Sequence, residues 1–145
     1  MKKYKIGYTQ GVYDMFHVGH LNLLRNAKEQ CEYLIVGVNA DSLVFEYKNK
    51  TPVIDEQARF YIVNNIKCVD EALIVYTLDK KELHDKLKFN AIFIGDDWIN
   101  SDRWKKTVIE MKKREVDVVF LPHTDNISST KLRGQNTNAL KEENL

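Results

Sequence analysis

The chain has 145 residues, of which 22 are Lys or Arg and 21 are Asp or Glu, so its formal net charge at pH 7 is +1. This length is sufficient for one domain whose core needs neither disulfides nor a metal. The near balance of charges argues against a basic face for nucleic acid or an anionic membrane, so we expect a small-molecule partner.

Five short runs rich in β-branched and aromatic residues predict β-strands, and they begin at Tyr4, Tyr33, Ala72, Ala91 and Val116. Helical patterns lie between them, with apolar stripes formed by Leu21, Leu24 and Ala27 and by Ile62, Val63 and Ile66. Apolar strands that alternate with helices of this length are typical of a parallel sheet covered on both faces. We therefore predict an α/β fold, a doubly wound, Rossmann-like five-stranded parallel sheet in a single domain over residues 1–134, followed by a polar tail over 135–145.

The connecting segments give weaker expectations. Residues 46–52 are polar and end in Thr-Pro, which predicts a loop before a helix that begins at Asp55. Residues 103–114 predict the solvated face of a helix. Cys31 and Cys68 lack metal-ligand spacing and are interpreted as buried, reduced thiols. No run approaches the length that crosses a bilayer, so the expected location is the cytoplasm.

The segment GVYDMFHVGH, residues 11–20, lies between the first strand and the first helix, at the sheet edge where such folds bind ligands. His17 and His20 are three residues apart at the helix start, so their rings share one side near the free amides of the helix. Amides and imidazoles together favour a phosphate whose oxygens gain charge during nucleotidyl transfer. Gly19 removes a side chain that would block close approach.

The pair has two other interpretations. His17 could pack against Phe16 while His20 caps the helix. A zinc site is possible, but the only nearby third ligand is Asp14, so the pattern favours a phosphate over a metal.

His-Val-Gly-His after an apolar strand resembles the HxGH signature of the cytidylyltransferase-type nucleotidyltransferases. The motif is also similar to the HIGH element of class I aminoacyl-tRNA synthetases, so alone it indicates only a superfamily. Residues 68–75 (CVDEALIV), 94–98 (IGDDW) and 123–133 (HTDNISSTKLR) resemble the RYVDE, MGDDW and RTEGISTT blocks of the family, in family order. The likeness is greatest to bacterial glycerol-3-phosphate cytidylyltransferases.

The resemblance implies roles for particular residues. It implies catalytic roles for His17, His20 and Lys48, and acceptor-substrate contacts for Lys48 and Lys80. The CTP-binding residues that it implies are Val12, Tyr13, Asp14, Gly19, Lys50, Lys67, Asp97, His123, Thr124, Ile127, Ser128, Ser129 and Thr130. Lys67 is expected on the third helix, eight residues after Arg59, and Lys48 and Lys50 on a loop that closes over the phosphates. The serines of ISST can also cap a helix whose amides face phosphates.

Two positions depart from the family pattern. His123 stands where the family has an arginine, and Val12 replaces a threonine. A histidine supplies a positive charge there only while it is protonated. These changes put the identity of the acceptor in doubt and leave the CTP contacts in place.

The sequence therefore predicts an enzyme that transfers CMP from CTP to a small phosphorylated alcohol, with Mg²⁺ on the CTP and no metal ligand from the protein. Glycerol 3-phosphate is the first candidate acceptor, followed by choline phosphate, ethanolamine phosphate or another polyol phosphate. An adenylyltransferase of the same superfamily, a class I synthetase fragment and a non-catalytic nucleotide-binding module are the alternatives. The resemblance also implies a homodimer, and we expect no nucleic-acid or membrane partner.

Overall fold

A computed structural model describes residues 2–122 of the chain. The strands are β1 (Tyr4–Gly11), β2 (Cys31–Asn39), β3 (Glu71–Val75), β4 (Ala91–Gly95) and β5 (Asp117–Leu121). The helices are α1 (Val18–Gln30), α2 (Asp41–Lys48), α3 (Glu56–Asn64), α4 (Lys80–Leu87) and α5 (Asp102–Lys113), and a single 3-10 turn spans Asp96–Trp98. The predicted boundary at residue 134 and the tail 135–145 lie outside the described residues.

The five strands form one parallel sheet in the order β3-β2-β1-β4-β5. This confirms the predicted doubly wound α/β fold. The chain builds outward from β1 to β3 and then returns to β4 on the other side of β1. Ligand sites in such sheets lie at the carboxyl ends of the strands where the order reverses, which here is the edge formed by β1 and its neighbours.

Successive strand residues point to opposite faces of the sheet, so both faces of these apolar strands carry apolar side chains. Helices cover both faces. One core layer joins α1 and α3 to the sheet and contains Leu24, Ala27, Val63, Leu34 and Val36. The other joins α4 and α5 to the sheet and contains Leu83, Trp104, Met111, Tyr8 and Ile35. The two layers place the starts of α1, α4 and α5 around the same sheet edge.

Two local predictions were wrong. Residues 46–48 belong to α2, which ends only where Asn49 adopts a left-handed backbone with φ of 59°. Asn is one of the few residues that tolerates this conformation, so it stops the helix before Thr-Pro is reached. The third helix ends at Asn64, which leaves Ile66 beyond it, and Ile62 is 41% exposed instead of buried.

Other local expectations have mixed outcomes. Asp55 is the N-cap of α3 and accepts a hydrogen bond from the Ala58 amide, as predicted. Cys31 and Cys68 are both free thiols, but only Cys31 is fully buried. Within residues 2–122, no helix has the length and apolar character needed to span a membrane.

A buried arginine joins the segments at the carboxyl edge. Arg59 of α3 is only 1% exposed. Its guanidinium donates to the carbonyl oxygens of Ile54, Val12 and Asn39 at 2.8 Å each and to the Asp41 carboxylate at 2.6 Å. Val12 follows β1 and Asn39 ends β2, whereas Asp41 begins α2 and Ile54 precedes α3. One side chain thus joins four segments of the chain.

We predict that Arg59→Met lowers the free energy of unfolding by about 3–5 kcal/mol, because it leaves the carboxylate and several carbonyls without their donor. Urea unfolding monitored by circular dichroism measures the change. Arg114→Met is the matched control, since Arg114 pairs with Asp85 and their side chains are 31% and 69% exposed. That control should cost much less than Arg59→Met, because an exposed ion pair contributes little to stability. Equal losses in the two variants would contradict the role given to Arg59.

Candidate active site at the start of α1

The loop between β1 and α1 turns sharply before it presents the histidine pair. Tyr13 and Met15 both adopt left-handed backbone conformations, with φ of 56° and 51°. Such conformations are uncommon for residues with a Cβ and occur where the surrounding structure requires them. The tight path allows α1 to begin at Val18, directly at the carboxyl edge of the sheet.

His17 and His20 cap the helix reciprocally. The Gly19 amide donates to Nδ1 of His17 at 3.0 Å, and the His17 amide donates to Nδ1 of His20 at 3.1 Å. This is a capping box in which imidazoles replace the usual hydroxyl and carboxylate groups. The two rings stack with their centroids 3.9 Å apart and their planes 29° from parallel.

The capping bonds determine which nitrogen of each neutral ring carries the proton. A nitrogen that accepts a hydrogen bond has no proton of its own, so each Nδ1 is unprotonated and each Nε2 bears the hydrogen. Nε2–H is therefore the remaining donor of each ring, and Nε2 of His20 is buried. Paired donors in a fixed geometry suit an oxygen on which negative charge develops.

The interpretation of the pair as a packed ring and a helix cap is partly met. His17 is the N-cap, and His20, which is 4% exposed, lies 5.3 Å from the ring of Phe16 and 5.5 Å from the ring of Tyr13. The predicted roles of the two histidines in the packing alternative are thus interchanged. The expectation that free helix amides meet a phosphate is wrong for His17 and Gly19, because the imidazoles already bind those amides.

Gly19 provides room for the His17 ring. A Cβ at Gly19 would lie 2.9 Å from Cε1 and 3.1 Å from Nδ1 of His17. Real Cβ contacts are longer than this, so a side chain here would displace the imidazole. The glycine therefore shapes the histidine pair itself.

The residues between β1 and the histidines are largely structural. Val12 and Tyr13 are each 4% exposed, so their predicted contact with CTP would have to use the backbone. The carboxylate of Asp14 accepts hydrogen bonds from the amides of Val53 and Ile54 at 2.8 and 2.9 Å. Asp14 thus ties the β1–α1 loop to the loop before α3, which fits a supporting role for it within the site.

Asp97 lies at the same edge, in the turn that follows β4. β4 pairs in parallel with β1 at Gly7–Ala91 and Tyr8–Ile92, so the carboxyl ends of the two strands lie at the same edge of the sheet. A Cβ at Gly95 would lie 2.7 Å from Oδ1 of Asp97, so the glycine lets the carboxylate fold back over the strand end. The structure therefore brings the exposed Asp97 to the edge that carries the histidines.

Two of the predicted phosphate-binding lysines, Lys48 and Lys50, lie at the end of α2 and just after it. Lys48 is exposed and is the last residue of α2 instead of part of a loop, with its Nζ 6.0 Å from the Tyr47 ring centroid, and Lys50 follows in an exposed bend. Lys67 is not on α3 but in the turn after it. It lines a cavity of about 530 Å³ beside Arg25 of α1. The structure thus corrects the helix assignment of Lys67, and its contact with CTP stays a prediction.

Lys80 is buried at the first position of α4. It is 8% exposed, its Nζ donates to the Leu78 carbonyl at 3.0 Å, and it lies 5.3 Å from the centroid of the Trp104 ring. Burial and repulsion by Arg103 lower the pKa of Lys80 to about 8, although Asp79 opposes the shift. The neighbouring Lys81 is exposed and pairs with Glu110, so the structure separates the two lysines.

Sequence reasoning missed two amide side chains at this edge. Gln10 and Asn39 lie at the ends of β1 and β2 and are hydrogen-bonded to each other at 2.8 Å. The available signal was an amide residue at or next to the last position of two apolar strands, whose carboxyl ends a parallel sheet brings to one edge. The predicted contacts of His123, Thr124, Ile127, Ser128, Ser129 and Thr130 lie outside the described residues.

A doubly wound parallel sheet with a histidine pair at the start of its first helix defines this chain as a Rossmann-like α/β domain, and the pair lies at the edge of the sheet where such folds bind ligands. A family model described as cytidylyltransferase-like matches residues 8–135. The chain belongs to the cytidylyltransferase-like family. The expectation of a CTP-dependent nucleotidyltransferase is thereby confirmed at the level of the family.

Known proteins agree with this assignment. The chain is 33% identical over 129 residues to a glycerol-3-phosphate cytidylyltransferase of Bacillus spizizenii, covering 86% of this chain and 92% of that protein. It is 35% identical over 130 residues to an ethanolamine-phosphate cytidylyltransferase of Dictyostelium discoideum, covering 88% of this chain and 35% of that protein. A lipopolysaccharide core biosynthesis protein from Thermoplasma volcanium, at 24% identity, has a TM-score of 0.69 over 83% of this chain and 97% of that one, which supports the fold.

We predict that Gly19→Ala lowers kcat for nucleotidyl transfer by about 10²-fold. The added Cβ would displace the His17 ring, and a misplacement of about 1 Å in an active site can reduce the rate by this factor. Stability should change little, since the gain in helix propensity offsets a weakened cap. Steady-state kinetics and thermal unfolding measure the two effects. Glu29→Ala, an exposed change near the far end of α1, is the control, and a Gly19→Ala enzyme as active as this control would contradict the steric role.

Proposed function

We propose that this protein transfers CMP from CTP to a small phosphorylated alcohol, with glycerol 3-phosphate as the first candidate acceptor. The observation that carries the proposal is the stacked histidine pair, which holds two Nε2–H donors at the carboxyl edge of β1. Membership of the cytidylyltransferase-like family supports the choice of nucleotide.

In the proposed reaction, an oxygen of the acceptor phosphate attacks the α-phosphorus of CTP in line. The new P–O bond forms as the bond between the α-phosphorus and the bridging oxygen breaks, and pyrophosphate leaves with that electron pair. The Nε2–H groups of His17 and His20 donate to the α-phosphate oxygens, whose charge rises in the transition state. Binding both reactants at one edge supplies the proximity that the displacement needs.

Positive side chains would hold the remaining phosphates. Lys80 is the proposed contact for the acceptor phosphate, since it is a buried cation at this edge, paired with a carbonyl and an aromatic ring. Lys48 and Lys50 are exposed on the segment that ends α2 and would reach phosphates only after that segment approaches the edge. We propose that Lys48 contacts the acceptor and that Lys50 contacts CTP.

Glycerol 3-phosphate is favoured by similarity. The relative named for glycerol 3-phosphate is matched over 92% of its length, whereas the relative named for ethanolamine phosphate is matched over 35% of its length. Ethanolamine phosphate, choline phosphate and other polyol phosphates are retained as alternative acceptors. A donor preference for ATP would instead favour an adenylyltransferase.

Mg²⁺ enters the proposal only as a partner of the triphosphate. Within residues 2–122, no group of three or more His, Cys, Asp or Glu side chains could hold a metal ion. The described residues therefore do not fit a resident metal, and no step is assigned to one. The ion is expected to reach the site with CTP, whose phosphate oxygens suit it.

We further propose that the protein is a homodimer joined through the region around residues 68–75, which is the form that the resemblance implies. Exposed apolar side chains near this region support the proposal. On α3, Tyr61 is 70% exposed and Ile62 is 41% exposed. Sedimentation equilibrium would test it, since a monomer at micromolar concentration contradicts a stable dimer.

We predict that CTP is the preferred donor and glycerol 3-phosphate the preferred acceptor. Pyrophosphate release should be measured with each nucleoside triphosphate against glycerol 3-phosphate, ethanolamine phosphate, choline phosphate and other polyol phosphates. Equal or faster turnover with ATP would overturn the donor assignment. An absence of turnover with every pair would favour a non-catalytic nucleotide-binding module.

The two functions of the histidines can be separated by variants that keep the helix cap. Asn is a good N-cap residue and Gln fits the third position of a capping box, so His17→Asn and His20→Gln should retain the cap while they remove the imidazole donors. We expect kcat to fall by about 10²- to 10³-fold in each, the size seen when one preorganised donor is lost. CTP affinity, measured by calorimetry, should fall much less. Near-normal turnover in both variants would show that the imidazoles serve only as caps.

A further inference from the structure

An amide at the end of β1 joins three parts of the sheet edge. Nε2 of Gln10 donates to Oδ1 of Asn39 at 2.8 Å and to the Thr77 carbonyl at 3.1 Å. Oε1 of Gln10 accepts from the Tyr8 hydroxyl at 2.7 Å, and Nδ2 of Asn39 donates to the Tyr47 hydroxyl at 3.0 Å. Both donor hydrogens of the Gln10 amide are thus used within the protein, so the side chain acts on its neighbours instead of on a ligand.

The Thr77 bond holds the short loop that precedes α4. In that loop, the Asp79 amide donates to Oγ1 of Thr77 at 3.0 Å and the Leu78 carbonyl accepts from Nζ of Lys80 at 3.0 Å. The carboxylate of Asp79 accepts from the Lys81 amide at 2.9 Å and so caps α4. The position of the Lys80 ammonium therefore depends on a loop that Gln10 ties to β1.

We propose that Gln10 is a positioning residue for the acceptor half of the site, because its amide holds the β3–α4 loop in the conformation that presents Lys80. This inference rests on the proposed function, in which Lys80 binds the acceptor phosphate. It adds a residue that lies outside the recognised motifs. Gln10 itself touches no reactant in this assignment.

The geometry separates this role from that of the histidines. The capping box fixes His17 and His20 through α1, on the sheet face that α1 and α3 cover. Gln10 fixes Lys80, whose ammonium lies near Trp104 of α5, on the opposite face. Loss of Gln10 should therefore weaken use of the acceptor and leave use of CTP unchanged.

Gln10→Met tests the proposal, since Met keeps the length and approximate volume of Gln and removes its hydrogen bonds. Tyr8→Phe is the matched control, because it removes only the bond to Oε1 and leaves both Nε2 bonds. We expect the acceptor KM to rise about tenfold in Gln10→Met, a change comparable to one lost hydrogen bond, with the CTP KM within about twofold of wild type. Equal rises in both KM values, or the same rise in Tyr8→Phe, would overturn the proposal.

A double-mutant cycle with Lys80→Met tests whether Gln10 acts through Lys80. If it does, Gln10→Met should have almost no further effect on the acceptor KM once the ammonium is gone. Fully additive effects would show that Gln10 acts by another route and would contradict the positioning role.

The pH dependence supplies a readout that a general loss of structure would not produce. Burial and repulsion by Arg103 from α5 lower the pKa of Lys80, Asp79 from the loop raises it, and the result is a pKa of about 8. Since the ammonium is lost above that pKa, kcat/KM for the acceptor should decline as pH rises through about 8. In Gln10→Met, a loosened loop admits water, so the pKa should rise toward 10.5 and the decline should begin at higher pH. An unchanged profile would count against the proposal.

The same shift can be measured without any reactant. The Lys80 side-chain signal is titrated by NMR in wild type, Gln10→Met and Tyr8→Phe, with the assignment taken from Lys80→Arg. We expect a higher pKa only in Gln10→Met, and identical titrations would overturn the positioning role. Failure of the proposed function is distinguishable, because it appears as a wild-type protein that releases no pyrophosphate while the NMR titration still decides the role of Gln10.

Discussion

The two hydrogen bonds from backbone amides to the Nδ1 atoms of His17 and His20 are the interaction on which the site depends. They satisfy two of the amides that every helix start leaves without intrahelical partners. They also place the hydrogen of each neutral ring on Nε2 and hold the rings in contact. The same bonds thus start α1 and prepare two donors, so helix formation and the geometry of the site cannot be separated at this point. An enzyme that stabilises developing charge benefits from donors that are already in place before the reactants arrive.

The imidazole donors keep their positions only if the surrounding loops are fixed. A small set of polar side chains fixes these loops. Arg59 links the end of β1, the end of β2 and the segment before α3, while Asp14 links the β1–α1 loop to the amides of Val53 and Ile54. A buried guanidinium suits this task because its five donors are arranged in a rigid plane and its charge does not titrate. The sheet supplies the edge, and these polar contacts hold the loops against it.

The sequence predicted the parts of the molecule that depend on periodicity. All five strands and the parallel doubly wound sheet follow from apolar patterns. Local patterns could not predict that Lys48 ends a helix, because Asn49 terminates α2 through a backbone conformation. They also could not predict the burial of Lys80, because it depends on packing against Trp104, 24 positions away along the chain. Gln10 was missed for a related reason, since its partners lie on other strands and loops.

The edge of β1 separates two kinds of electrostatic environment. On the side of α1, the imidazoles of His17 and His20 would donate to oxygens whose charge develops during the proposed reaction. On the side of α4, Lys80 is a buried cation next to another cation, Arg103, and both burial and repulsion oppose its protonated state. Under the proposed function, an acceptor phosphate would reverse both effects, because it supplies negative charge next to the ammonium. Acceptor binding above pH 8 would therefore draw a proton onto Lys80. The acceptor half of the site would then be coupled to proton uptake, and the burial of Lys80 beside Arg103 is the physical cause of that coupling.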